Sequence, residues 1–217
     1  MPSDMNAILE HTFAQEGGIL VRTNRSGDTG GETVGGVSRV KRPNLSWWSD
    51  VDSIRPLNDW PRGYTVDLGD FIDTHDGEVA SIRKGVVAEY HSDAWLYKPA
   101  DPSRRVHVTD IESQRVAAKL FSIKINGGPG LLKPCVRALQ KRLGIGADGI
   151  CGPGTAGRIN SYIAMDADGR LDDIFVLELV AVLTHRQCIS YSRICQKNPA
   201  QLVNFAGWLN RAFSDLI

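Results

Sequence analysis

The feature that most constrains this fold is the spacing of its apolar residues, which recur every three or four positions along most of the chain. Val176, Leu179, Val180 and Leu183 show this spacing. It places apolar side chains on one face of an α-helix, whereas a half-buried strand alternates in twos. The sequence therefore predicts a mainly α fold, with helices over residues 4–16, 76–95, 109–124, 131–143, 155–165, 171–196 and 199–216.

Two segments lack helical spacing. Residues 22–38 are polar and rich in glycine, so they predict a loop or a loose hairpin. Residues 43–75 contain three prolines and three of the five tryptophans, and they predict irregular structure. A small polar β-hairpin near the N-terminus is thus the one piece of β structure that we expect.

Composition and charge exclude several classes of protein. The 25 Lys and Arg residues balance 25 Asp and Glu residues, so the chain lacks the basic excess of a general nucleic-acid binder. The four cysteines form no CxxC pair, and we expect free thiols that are mostly buried. The five histidines show no metal-ligand spacing, so we expect no metal site and no cofactor.

The N-terminal residues carry no secretion signal, since the stretch has neither a basic segment nor an apolar one. The longest apolar stretch, 174–183, is far shorter than the roughly 20 residues that span a bilayer. We therefore expect synthesis in the cytoplasm and no stable insertion in a membrane.

Glu16 is the first candidate for chemistry. It continues the apolar face of the first predicted helix and precedes Gly17 and Gly18, which favour a helix end. Partial burial and the negative end of the helix dipole would both raise the pKa of this carboxyl, which suits a general acid. The alternative is a glutamate that reaches solvent beside the flexible glycines.

Asp28 and Thr33 follow in the polar segment. A loop that folds back over the end of the first helix would bring both side chains opposite Glu16. An acid with a raised pKa, an ionised carboxylate and a hydroxyl that holds water are the parts of glycoside hydrolysis. Alternatively, Asp28 and Thr33 hydrogen-bond only to their own loop.

These residues resemble a known family. Residues 13–18 (FAQEGG) and 28–37 (DTGGETVGGV) are similar to the E-G-G and D-x-G-G-x-T-x-x-G-[IV] motifs of the glycoside hydrolase family 108 muramidases. The resemblance implies a lysozyme-like fold, with Glu16 as the catalytic acid and Asp28 and Thr33 in the active-site loop. Ile19 departs from the pattern, because the family usually has an aromatic residue there.

The C-terminal half supports the same resemblance. Residues 139–144 (LQKRLG) and 148–155 (DGICGPGT) resemble the motif of peptidoglycan-binding modules, and 126–130 (NGGPG) resembles the junction before it. Residues 205–211 (FAGWLNR) resemble the family's terminal motif. We predict a catalytic lobe over 1–115 and a helical peptidoglycan-binding-like lobe over 116–217, packed as one compact body. The glycine-rich turn at 148–155 has a purely structural alternative.

Candidate substrate-binding residues are Trp47, Trp48, Trp60 and Asn126. Sugar rings stack on aromatic side chains, and the first three tryptophans lie in irregular sequence near the expected cleft. Core packing is the alternative for each of these tryptophans. Asn126 belongs to the junction motif, and its role is implied by the resemblance alone.

The resemblance implies hydrolysis of the β-1,4 bond between N-acetylmuramic acid and N-acetylglucosamine, with peptidoglycan glycan strands as the partner. A muramidase without a signal is typical of a phage endolysin, a monomer that a holin releases to the cell wall for host cell lysis. Other readings are a lytic transglycosylase, a non-catalytic wall-binding or secretion-helper protein, and a helical binding protein unrelated to cell walls.

Overall fold

The computed structural model describes residues 2–16, 18–22, 31–55, 65–164 and 172–214. Its helices are α1 (Met5–Glu16), α2 (Trp48–Ile54), α3 (Asp76–Asp93), α4 (Gln114–Arg142), α5 (Pro153–Ile163), α6 (Asp172–Lys197) and α7 (Leu202–Ser214). Its strands are β1 (Leu20–Arg22), β2 (Thr33–Val34), β3 (Val37–Ser38), β4 (Thr65–Asp67), β5 (Trp95–Tyr97) and β6 (Val106–His107). The predicted mainly α fold with a small antiparallel sheet is confirmed.

The chain divides into two compact units. One unit comprises Leu9–Asp93, and we call it the N-terminal unit. The other comprises Met1–Ile8 together with Ala94–Ile217, and we call it the C-terminal unit. The boundary expected from the sequence, between residues 115 and 116, lies within α4, and the expected arrangement as one compact body stays a prediction.

In the N-terminal unit, a four-stranded antiparallel sheet has the order β3-β2-β1-β4. Val21 faces Val34 on one neighbouring strand and Val66 on the other, and all three side chains are buried. The β2–β3 pair is the hairpin expected within 22–38. Helix α2 and strand β4 lie within 43–75, which the sequence predicted to be irregular.

Helix α4 of the C-terminal unit is interrupted at Gly128, whose φ of 57° and ψ of −158° are not helical. Gly128 lies within 126–130, where the sequence predicted a break between two helices. The helix expected to open at Thr109 instead begins at Gln114, after the N-cap Ser113. A capping box does exist at His107 and Asp110, but it closes one 3₁₀ turn, and the chain then becomes extended at Ile111.

Helix α6 packs mainly against α4 and α7, and it buries the four residues whose spacing predicted it. Its segment Ile174–Lys197 has 24 residues and contains an 18-residue window with a mean hydropathy of 1.3, so by length and composition it could cross a membrane. The core helices of soluble proteins pass the same test, and 39% of that window is buried. Helix α6 therefore extends well beyond the apolar stretch 174–183. The expectation that the protein does not insert in a membrane stays a prediction.

All four cysteines are free thiols. Cys135, Cys151 and Cys195 are buried as expected, while Cys188 is half-buried. Burial raises the pKa of Cys135 and of Cys151 to about 12. These two side chains therefore act as small apolar groups of the C-terminal unit.

Candidate active site

The first candidate motif ends helix α1 where the sequence predicted. Glu16 is the last residue of α1. Gly18 has a φ of 76°, and its N–H donates to the carbonyl of Phe13 over 2.7 Å. This is a glycine-dependent helix ending, in which a left-handed residue satisfies a carbonyl of the last turn. The Glu16 side chain and Gly17 lie outside the described residues, so the raised pKa of Glu16 stays a prediction.

The second candidate motif contributes Thr33, the first residue of β2. Thr33 is half-buried, and it pairs with Arg22 on β1 and with Ser38 on β3. A regular ladder on both sides fixes its backbone, so the position of its side chain does not depend on a loop. Asp28 lies outside the described residues.

The turn between β2 and β3 packs against the end of α1. Its residue Gly35 has a φ of 51°, and its N–H donates to the carbonyl of Leu20 over 3.1 Å. A Cβ atom placed on Gly35 would lie 3.4 Å from the carbonyl oxygen of Gly18 and 3.1 Å from Val86 Cγ1. The backbone of the second motif thus lies directly on Gly18, the last residue of the first motif.

Tyr90 of α3 holds this turn in place. Its hydroxyl donates to the carbonyl of Gly35, and its ring meets Phe13 of α1 edge to face, with 5.4 Å between centroids. Tyr90 is 3% exposed, so both contacts are shielded from water. Tyr90 falls within the helix predicted over 76–95, but nothing in the sequence pattern indicated that its hydroxyl orders the candidate site.

A cluster of charged side chains adjoins Thr33, and no sequence motif predicted it. Glu32 accepts from Arg39 Nη1 over 2.9 Å and also from Arg55. Arg39 in turn forms a bidentate pair with Asp52, with N–O distances of 2.7 and 2.5 Å. Hydrogen bonds from Arg39 lower the pKa of the Asp52 carboxyl. Glu32 lies in the second motif, directly before Thr33. Its position in the sequence was the one feature that could have indicated a charged group at this place.

Trp47 and Trp48 are core residues of the N-terminal unit. They are 5% and 2% exposed, and their rings lie 4.3 Å apart. The indole N–H of Trp48 donates to the carbonyl of Arg42 over 2.7 Å. A sugar stacks on an exposed ring face, so core packing describes these two side chains better than a subsite does. Trp60 lies outside the described residues.

Asn126 belongs to the C-terminal unit, two residues before the break in α4. Its Nδ2 donates to the carbonyl of Ser122 over 2.9 Å, and its Oδ1 accepts from Arg211 of α7 over 3.0 Å. The Oδ1 contact therefore joins α4 to α7, whereas the Nδ2 contact stays within α4. The N-terminal unit holds Thr33 and the end of α1, whereas Asn126 is held in the other unit.

The glycine-rich turn at 148–155 is ordered by Gln140, which is 2% exposed. Gln140 Nε2 donates to Asp148 Oδ1 over 2.7 Å and to Thr155 Oγ1 over 3.0 Å, and its Oε1 accepts from the Gly149 N–H over 2.8 Å. These bonds link to one another the residues of this chain that match the resembled motif. Its polar residues therefore have a structural role.

The part of the chain that the structure describes contains no group of three His, Cys, Asp or Glu side chains placed to hold a metal ion. Asp28 and the Glu16 side chain lie outside that part of the chain.

Comparison with known proteins found one similar solved structure, that of Brucella abortus SagA. The TM-score is 0.47 and the identity is 16%, with 97% of this chain and 94% of that chain covered. No family model and no curated protein matches the chain. A TM-score this low at this identity does not establish a common function, so the muramidase resemblance rests on the motifs of the sequence itself.

Proposed function

We propose that the protein is a peptidoglycan hydrolase of the N-acetylmuramidase type, with Glu16 as its acid. The observation that carries the proposal is the packing of Gly35 against Gly18. It supports the proposal because it brings the backbones of the two motifs together in one unit, as the sequence argument required. The antiparallel pairing of β1 with β2 carries Gly35 back to the start of β1, and so the two motifs meet at the end of α1.

In this proposal, Glu16 protonates the oxygen of the leaving sugar as the β-1,4 bond breaks. Asp28 stays ionised and either positions water or stabilises the positive charge that develops on the sugar ring. Thr33 holds the water with its hydroxyl. Arg39 and Arg55 form ion pairs with Glu32, so the carboxylate next to Thr33 in the sequence is neutralised.

The test is mass spectrometry of purified peptidoglycan after digestion by the full-length protein and by Glu16→Gln. We expect soluble fragments with reducing muramic acid ends from the wild type, and a loss of at least about a hundredfold in the variant. Glu10→Gln is the matched control, because Glu10 is an exposed carboxylate on the same helix. Equal release by wild type and Glu16→Gln would remove Glu16 from the mechanism.

Asp28→Asn separates hydrolysis from transglycosylation. A hydrolase that depends on an ionised partner loses activity with this variant, whereas a lytic transglycosylase needs a single acid and produces anhydro ends. Anhydro ends with an active Asp28→Asn would therefore reassign the reaction. Absence of fragments from every protein would leave a protein without this activity.

A further inference from the structure

A cleft of about 450 Å³ lies in the C-terminal unit, beside the break in helix α4. Helix α4 supplies Leu131 and Pro134 to its wall, α6 supplies Tyr191 and Ile194, and α7 supplies Trp208. The described residues of the wall include no Asp or Glu. A cleft of this volume can hold part of a small organic ligand.

The apolar part of the cleft is built from packed side chains. Leu131 and Tyr191 are each 4% exposed, and the Tyr191 ring stacks on the Trp208 ring with 5.1 Å between centroids. The Tyr191 hydroxyl accepts from Gln187 Nε2 over 2.9 Å, which fixes the ring from its other end. Trp208 is half-buried and Ile194 is 41% exposed, so part of each side chain is open to a ligand. An apolar chain that enters the cleft therefore meets a surface that is already ordered.

Two arginines of α6, Arg186 and Arg193, also line the cleft. They are seven residues apart, so they lie on one face of the helix, separated by about 10 Å along its axis. In the part of the chain that the structure describes, neither guanidinium is paired with a carboxylate. Such groups bind phosphate and carboxylate oxygens through charge-assisted hydrogen bonds.

Asn126 lies in the same wall, but its amide is already engaged. Its Nδ2 donates to the Ser122 carbonyl and its Oδ1 accepts from Arg211. The polar contacts available to a ligand therefore come from Arg186 and Arg193. These residues belong to the C-terminal unit, whereas Glu16 and Thr33 belong to the N-terminal unit.

The helices that form the cleft are strongly cationic. Helix α4 together with residues 179–214, which include most of α6 and all of α7, contains eleven Lys and Arg residues and no Asp or Glu. The whole chain has a net charge of zero, so its carboxylates are concentrated elsewhere. This segregation of charge favours an anionic ligand at the cleft.

Exposed apolar side chains continue from the end of α6 into α7. Leu202, Val203 and Phe213 of α7 are 60%, 81% and 49% exposed, in addition to Ile194 in the cleft wall. Leu202, Leu209 and Phe213 recur at helical spacing, so they share one face of α7. Exposed apolar side chains on a cationic helical surface are typical of proteins that contact the interface of an anionic bilayer.

We propose that this cleft binds an anionic phospholipid at the surface of a bilayer. An acyl chain lies against Leu131, Ile194 and Trp208, and the acidic head group lies beside Arg186 and Arg193. The exposed apolar side chains of α7 favour lipid over a nucleotide or a nucleic acid, since neither of these offers an apolar chain. The contact is peripheral and requires no helix that spans the membrane, and it does not depend on the proposed reaction.

The test measures binding of the full-length protein to lipid vesicles by flotation. We expect binding to phosphatidylcholine vesicles that contain about a third of phosphatidylglycerol, little binding to pure phosphatidylcholine, and weaker binding at high salt. Arg193→Gln is expected to weaken binding about fivefold, and its combination with Arg186→Gln about twentyfold. Arg83→Gln is the matched control, because Arg83 is an exposed arginine of the N-terminal unit.

A second pair of variants tests the apolar wall. We expect Ile194→Gln to weaken vesicle binding about fivefold, because an apolar side chain that contacts the acyl chain is lost. Leu177→Gln is its control, since Leu177 is 37% exposed on the same helix and does not line the cleft. Circular dichroism and the urea midpoint show whether each variant is folded.

Tryptophan fluorescence locates the bound lipid. Phosphatidylglycerol with bromine atoms on its acyl chains quenches a tryptophan that it contacts. We expect Trp208→Phe, which keeps an aromatic ring beside Tyr191, to lose most of the quenching seen in the wild type. Trp95→Phe is the control, because Trp95 is a half-buried residue of the same unit outside this cleft.

Soluble competitors distinguish the possible ligands. Dihexanoyl phosphatidylglycerol, which dissolves as single molecules, is expected to displace the protein from vesicles, whereas inorganic phosphate at the same concentration is not. Equal displacement by phosphate, or tighter binding of a thymidine oligonucleotide than of phosphatidylglycerol, would overturn the proposal. So would absence of vesicle binding by the wild type, vesicle binding by the folded double arginine variant equal to that of the wild type, or quenching that persists in Trp208→Phe.

Discussion

At the scale of single residues, Gly35 combines a left-handed backbone with a close approach. Its φ of 51° is unfavourable for residues with a Cβ atom, and that atom would press on Val86 Cγ1 at 3.1 Å. Both restrictions act in the turn that packs against the end of α1. The position of Thr33 relative to the end of α1 therefore depends on Gly35, which has no side chain that could take part in the reaction.

We expect Gly35→Ala to lower the free energy of unfolding by about 1–3 kcal/mol, because strain and a steric clash add together. Gly77→Ala is the control: Gly77 lies in α3 with open space around its α-carbon, and this change is expected to be neutral or stabilising by up to about 1 kcal/mol. Urea unfolding of both variants measures the difference. Equal midpoints would show that the turn accommodates a side chain.

Asp148 gives the stability of the C-terminal unit a defined pH dependence. Hydrogen bonds from the Ile150 N–H and from Gln140 lower the pKa of its carboxyl. A carboxyl whose pKa is lower in the folded state contributes stability above its unfolded pKa of about 3.9 and loses it as the pH falls through the folded value. We expect Asp148→Asn to be less stable than the wild type at pH 6, and we expect the difference to shrink as the pH falls through the lowered folded-state pKa of Asp148.

Acid titration of the urea midpoint for wild type and Asp148→Asn checks this expectation. A gap between the two proteins that stayed constant from pH 6 to pH 2 would show that the carboxylate charge has no part in it.

At the scale of elements, Gln140 connects a helix to the turn that follows it. One buried amide of α4 fixes Asp148, Gly149 and Thr155, and thereby sets where α5 begins. These hydrogen bonds, together with the burial of Cys151, fix the shape of the turn.

We expect Gln140→Met to cost about 1–3 kcal/mol, because the volume is kept while the part-buried N–H of Gly149 loses its acceptor. Lys141→Met introduces the same side chain at the next, exposed position and is expected to change stability by no more than about 0.5 kcal/mol. Chemical denaturation compares the two. Similar effects of both changes would contradict the role assigned to the amide.

The same scale shows what a sequence of this kind can reveal. Long periodic segments such as α3 and α6 were predictable, because each buries a continuous apolar face. Helix α2 has seven residues and β4 has three, so neither is long enough to show a period. The box at His107 was missed because a histidine ring takes the place of the usual capping hydroxyl.

The candidate site was predictable in part for a related reason. Local motifs predicted the helix end at Glu16 and the hairpin with Thr33. The contacts from Tyr90 to Gly35 and from Arg55 to Glu32 join positions that are far apart in sequence. Such pairings depend on tertiary packing, which no local pattern records.

At the scale of the whole molecule, all four cysteines belong to the C-terminal unit. Their reactivity toward a thiol reagent therefore reports on that unit alone. Cys135 and Cys151 are buried and their pKa values are raised to about 12, so at pH 8 neither forms the reactive thiolate while the unit is folded.

We expect native protein at pH 8 to react first at the half-buried Cys188, and at Cys135 and Cys151 only when the C-terminal unit opens. Gln140→Met should accelerate labelling of these two residues, whereas Lys141→Met should not. Peptide mapping of the labelled sites against time tests this order. Rapid labelling of Cys151 in the wild type would contradict the burial described above.

Residues 1–8 join a unit whose remainder begins at Ala94. The Ser3 N–H donates to the Thr109 carbonyl over 3.3 Å, and the Asp4 N–H donates to Gln114 Oε1 over 2.7 Å. During synthesis, Ser3 and Asp4 are made more than a hundred residues before Thr109 and Gln114. These two hydrogen bonds therefore cannot form while Leu9–Asp93 is being synthesised, and a fragment that starts at residue 94 would lack both of them.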